Sequence, residues 1–87
     1  MHAVVITVNV SDPDSAITAL REDVVPRIKG APGFVAGYWT RDGNNGLSMV
    51  VFESEDQARQ AAEGARDGMP EGVELQDAQV REVVANA

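Results

Sequence analysis

Apolar and polar positions alternate from the start of the chain: His2, Val4, Ile6, Val8 and Val10 fall on one face of a strand, Ala3, Val5, Thr7 and Asn9 on the other. The period then changes. Asp12 offers a side-chain oxygen to exposed N–H groups, Pro13 suits the first helical position, and Asp14 adds a charge that the helix dipole favours. Ile17, Leu20, Val24 and Ile28 recur at steps of three and four, which predicts a helix with one buried stripe and with Arg21, Glu22 and Arg27 toward water. Pro26 lacks an N–H and disfavours helical geometry at Val25, so a kink or break is expected near Val25, with the segment ending around Gly30 and Pro32.

Residues 33–42 and 46–54 are rich in aromatic and β-branched side chains, and Asp42-Gly43-Asn44-Asn45-Gly46 between them tolerate the positive φ of a tight connection, so a β-hairpin is predicted. Its register is open, because loops of four and five residues put Trp39 on opposite faces. The four-residue count is preferred; it pairs Trp39 with Val50, sets Gly37 near Phe52, and turns Tyr38 toward the helices. The alternative sends the Tyr38 hydroxyl into the cavity face instead. Ser54 and Gln57 form a capping-box pattern, after which Ala58, Ala61, Ala62 and Ala65 repeat at helical spacing until Gly68 and Pro70 stop the helix. Its small-residue face approaches a sheet closely but buries little area at about 25 cal/mol per Å², so it is expected to stabilise less than the first helix. Val73 to Val84 reads as a last strand, with Ala78, Val80 and Val84 on one parity and Val73, Leu75 and Val83 on the other. A bulge near Asp77 reconciles the two sets.

The order β-α-β-β-α-β predicts a single α+β domain over residues 1–87, on the ferredoxin-like plan of a four-stranded antiparallel sheet with both helices on one face. The opposite face carries Ala3 and Val5 and calls for a cover, so a homodimer through the sheet faces, an α/β barrel, is expected. Composition sharpens this. Four aromatics, Phe34, Tyr38, Trp39 and Phe52, leave little bulk for the core of an 87-residue chain, which a partner copy would supplement. Fourteen acidic against seven basic residues give a net charge of −7, which opposes binding to phosphate backbones and anionic lipid, so no nucleic-acid or membrane partner is expected. The absence of cysteine excludes disulfides and thiolate metal sites, and the first residues show neither a leader pattern nor an apolar run long enough to span a bilayer. A cytoplasmic protein is the expectation.

Little in the chain has the spacing of a reactive site. The acidic residues are dispersed, no strand-to-helix glycine loop is present to cradle phosphate, and the serines have no neighbouring histidine to act as base. No metal, nucleotide or other cofactor is expected. The candidate pocket is Thr7, Asn9, Trp39, Arg41, Val50 and Phe52. Trp39 suits either a wall that stacks an aromatic ligand or interface packing, and Phe52 either pocket or core. Thr7 and Asn9 point away from the helix-facing stripe, where a face closed by dimerisation would require partners for them; Asn9 alternatively bonds nearby backbone or water. Arg41, at the outer end of the hairpin, suits an oxyanion or is a solvated charge.

The segments Ala31-Pro32-Gly33-Phe34, Gly37-Tyr38-Trp39 and Val51-Phe52-Glu53-Ser54-Glu55 with Ala58 make the chain resemble one subunit of the dimeric α/β-barrel superfamily, near the antibiotic biosynthesis monooxygenase-like proteins. The resemblance implies a homodimer with a pocket in each subunit, between sheet and helices or within the barrel. It also implies one of several activities, among them cofactor-independent oxygenation of electron-rich phenols and haem degradation. The pattern of the haem-degrading members is not met: the one histidine is His2, Thr7 stands where they have Asn, and Phe52 where they have Trp. Two function classes therefore stand at this point. The favoured one is a protein that binds a small apolar or aromatic molecule in a sheet-lined cavity. The alternative is a cofactor-independent monooxygenase drawing on Asn9, Trp39 or Arg41.

Overall fold

The structure is a computed structural model that describes residues 1–69 and 71–87. Four strands, β1 (His2–Val10), β2 (Phe34–Asp42), β3 (Asn45–Phe52) and β4 (Val73–Glu82), form one sheet in the order β2-β3-β1-β4, with every neighbouring pair antiparallel. With two helical layers on one face, this α+β architecture is compatible with a ferredoxin-like fold.

Side-chain caps start both helical layers where the sequence predicts. The Ser15 N–H donates to Asp12 Oδ1 at 3.4 Å at the start of α1 (Pro13–Ala19), and the Ser15 hydroxyl donates to Asp12 Oδ2 at 3.0 Å. The chain passes from α1 through a π-helical turn (Leu20–Val24) into α2 (Val25–Lys29) without a break. In that turn the Val25 N–H reaches back five residues to the Leu20 carbonyl. The wider turn accommodates the Pro26 ring, which in a regular helix would press on the carbonyl four residues earlier. The distortion expected near Val25 therefore takes the form of a π turn, and the helix runs on. α3 (Glu55–Asp67) begins where the Gln57 N–H donates to the Ser54 hydroxyl at 3.2 Å. The part assigned to Pro70 in ending it lies outside the described residues.

The bulge on β4 falls at Gln76: Thr7 pairs with Asp77 and Val8 with Leu75. The extra residue brings Val73 and Leu75 onto the face that carries Ala78 and Val80, so one side of β4 becomes continuously apolar. A second bulge, at Val35 on β2, is not evident from the alternation.

The hairpin register corrects the sequence expectation. Trp39 pairs with Ser48, not Val50, and Asp42 with Asn45, leaving a two-residue turn of Gly43 and Asn44. Gly43 has φ +60° and Asn44 a negative φ, the pattern of a type II′ turn, whose twist matches that of the flanking strands. Because side chains alternate with period two, the two-residue slip keeps Trp39 and Val50 on one face. That face is the helix side, since Val4 of β1 pairs with Val50 and both pack against α3. Tyr38 accordingly lies on the opposite, outer face and is 70% exposed, rather than toward the helices.

The core sits between the sheet and α3. Val4, Ile6, Val50 and Phe52 are buried against Ala58 and Ala62, and the Phe34 and Phe52 rings meet edge to face with centroids 6.4 Å apart. The alanine face lets α3 approach closely, and Arg66 Nη2 donates to the Ala78 carbonyl at 3.3 Å. The first helix is seated differently. Ile17, Leu20, Val24 and Ile28 point inward as their spacing requires, yet none of its residues is fully buried.

Candidate functional site

The incomplete burial of that stripe has a cause: a cavity of about 580 Å³ lies between the first helix and the sheet. Its roof is Ile17, Leu20, Val24 and Ile28, and its floor is the helix-facing row of β1, Val4, Ile6, Val8 and Val10. Trp39, Val50 and Phe52 close the β2–β3 side, while Ala61, Ala65 and Met69 close the α3 side. Small residues contribute to the space. Ser48 stands beside Trp39 on this face, and the exposed Gly64 enters the lining from α3 with no atom beyond its own helical turn within 4 Å of the position a Cβ would take.

Trp39 is held by what its neighbour lacks. A Cβ on Gly37 would sit 2.8 Å from the indole Cη2, so the ring folds back along its own strand over the bare glycine backbone. The indole thereby lies along the cavity wall, half-buried, where it presents an aromatic face to any occupant.

Polar side chains are few. Thr40, Arg41, Asn44 and Ser48 come from the hairpin, and Arg21 and Arg27 from the first helix. Arg41 Nη1 donates to the Gly43 carbonyl at 3.5 Å, a long bond that leaves most of the guanidinium uncommitted. His2 is not in the lining; its Nε2 lies 3.5 Å from Glu55 Oε2, and Glu55 also pairs with Arg59. Among the described residues no group of three or more His, Cys, Asp and Glu side chains is placed to hold a metal ion.

The six candidate residues divide between two faces. Trp39, Arg41, Val50 and Phe52 share the large cavity. Thr7 lies on the outer side in a smaller hollow of about 310 Å³ that also reaches Arg41, Asp42 and Gln76. Asn9 is exposed, pairs in register with Asn45 and Glu74, and lines neither space. The helix stripe and the two helix arginines are the part sequence reasoning did not place in the site. A signal was present in β3, whose helix-facing row begins with Gly46 and Ser48 and so offers little bulk opposite four large aliphatic side chains.

No protein-family model, curated protein or solved structure matches the chain. Among the described residues no helix is long and apolar enough to cross a membrane.

Proposed function

We propose that this protein binds a small apolar or aromatic molecule in the cavity between its first helix and its sheet. The observation that carries the reading is the cavity itself. At about 580 Å³, it falls in the range of about 300–1,000 Å³ usual for small-molecule sites, and its lining is mainly aliphatic with one indole and a few polar groups. A ligand there would bury the inward faces of Ile17, Leu20, Val24 and Ile28, gaining about 25 cal/mol for each Å² of apolar surface removed from water.

The oxygenase implied by the resemblance would need a polar group to hold an ionised phenol. Of the three residues it would draw on, Trp39 and Arg41 share the cavity and Asn9 does not. The described lining does supply arginines for a phenolate but holds no Asp, Glu or His to take the phenol's proton, so binding is the reading we favour.

We further propose a homodimer in which a second copy covers the outer sheet face, completing the barrel expected from the sequence. In support, Tyr38, Leu47 and Met49 stand more than 40% exposed on that face, with Tyr38 and Val5 both in register with Met49.

The test of the binding reading is a titration with a neutral naphthylamine probe, read by quenching of Trp39, the single tryptophan. Saturable quenching at one probe per chain is expected. No quenching at probe concentrations up to solubility would reject the reading.

A further inference from the structure

The charged side chains that line the cavity are of one sign. Carboxylates outnumber cations fourteen to seven in this chain. Yet the charged side chains in the cavity lining are Arg21, Arg27 and Arg41, and among the described residues no Asp or Glu joins them. All three arginines are exposed and line the cavity, which places them at its solvent-facing rim. They come from two separate elements, the helix roof and the end of β2. No described carboxylate lies within ion-pairing distance of any of them; the ion pairs of the described residues are those of Glu55 with His2 and Arg59. Asp42, next to Arg41 in sequence, lines the outer hollow rather than this cavity.

A net charge of −7 works against the approach of any anion, so three arginines with no carboxylate among the described lining make this cavity a more favourable place for one than the rest of the surface. Guanidinium donors are matched to carboxylate oxygens in geometry and form charge-assisted hydrogen bonds with them. An anionic head at this rim would keep part of its hydration, while an apolar body attached to it would enter the cavity.

We infer that the cavity takes an anionic amphiphile, an apolar body ending in a carboxylate or similar oxyanion, with the head held by the arginines of the lining, Arg41 at the hairpin end or Arg21 and Arg27 on the helical roof. This rests on the proposed reading of the cavity as a small-molecule site and adds the ligand's charge.

The experiment displaces the neutral naphthylamine probe from the full-length protein with decanoate, decanol and decyltrimethylammonium, which share an apolar chain and differ in the head. Decanoate is expected to compete at about tenfold lower concentration than decanol, the effect of roughly 1.4 kcal/mol, and the ammonium compound is expected to be the weakest. The variant carrying Arg21→Gln, Arg27→Gln and Arg41→Gln should bring decanoate to the level of decanol, the two being compared by displacement of the same probe from that variant. If probe and decanol bind but decanoate has no advantage, or keeps its advantage in the variant, the charge inference is overturned and the cavity reading stands. If neither probe nor decanol binds, both fall together.

Discussion

Trp39 shows how much a single residue's place depends on its neighbours. The indole covers Gly37, and an added methyl there would meet the ring's far edge at 2.8 Å. The backbone has no reason to move, so Gly37→Ala should swing the indole off its seat. Overpacking of this kind costs about 1–3 kcal/mol. The variant is expected to lose stability in that range in denaturant unfolding and to show red-shifted tryptophan emission. Unchanged emission would mean that the ring does not rest on Gly37. At this scale the sequence identified the right aromatic residues but not their surroundings. Alternation puts Trp39, Val50 and Phe52 on one face, and Thr7 and Asn9 group with them in sequence because nothing in a single strand says which face of its neighbour it matches. The pairing of Val4 with Val50 settles that, and it is a long-range contact.

Local signals were strongest for the elements. Period-two alternation gave the strands, Asp12 and Ser54 gave the two helix starts, and the mismatched parities of β4 required a bulge one residue from where it lies. The hairpin register was less legible. Five consecutive turn-compatible residues allow several loop lengths, and the structure bends only Gly43 and Asn44, with Asp42 and Asn45 already paired. The cavity escaped the sequence for another reason: the stripe Ile17, Leu20, Val24 and Ile28 specifies which side of the helix faces inward, not how far it stands from the sheet. The two helical layers should accordingly differ in protection, in the order opposite to the one expected from the small side chains of α3. α3 buries Ala58 and Ala62 and is tied to β4 through Arg66, whereas the first helix has no fully buried residue and contains a π turn. In native-state hydrogen exchange, amides of α1 and α2 are expected to exchange faster than those in the middle of α3, and to slow when the naphthylamine probe is bound. Equal protection of the two layers without probe would contradict a loosely seated roof.

For the whole molecule, one face of the sheet holds the core and cavity, and the other stands open. On β4 that outer face is dressed by a polar row, with Arg81 Nε donating to Gln79 Oε1 at 2.8 Å and Gln79 Nε2 donating to Asp77 Oδ2 at 2.8 Å. The apolar part lies beside it, around Met49 on β3. A second copy placed there would cover Tyr38, Leu47 and Met49, and light scattering at micromolar concentration should then give twice the 9.3 kDa chain mass. Met49→Glu, which sets a charge at the centre of that patch in a protein already at −7, is expected to give the monomer mass with the fold retained. A wild-type monomer would remove the barrel while leaving the cavity, whose described walls all belong to one chain.

The cavity is the central claim, and Gly64 offers the most direct access to it. The glycine sits within α3, lines the cavity, and has open space where a side chain would begin. Gly64 is exposed at the border of the cavity, so a Phe there is expected to set the protein's own ring across its mouth, while exchanging a poor helix former for a better one. The measurement is the Trp39 titration with the naphthylamine probe in Gly64→Phe beside the wild type, after circular dichroism has shown the same helix content. The account predicts a variant at least as stable as the wild type, with probe affinity lowered about tenfold or more, the equivalent of roughly 1.4 kcal/mol. A folded variant that binds the probe as tightly as the wild type would place the bound molecule elsewhere and contradict the account.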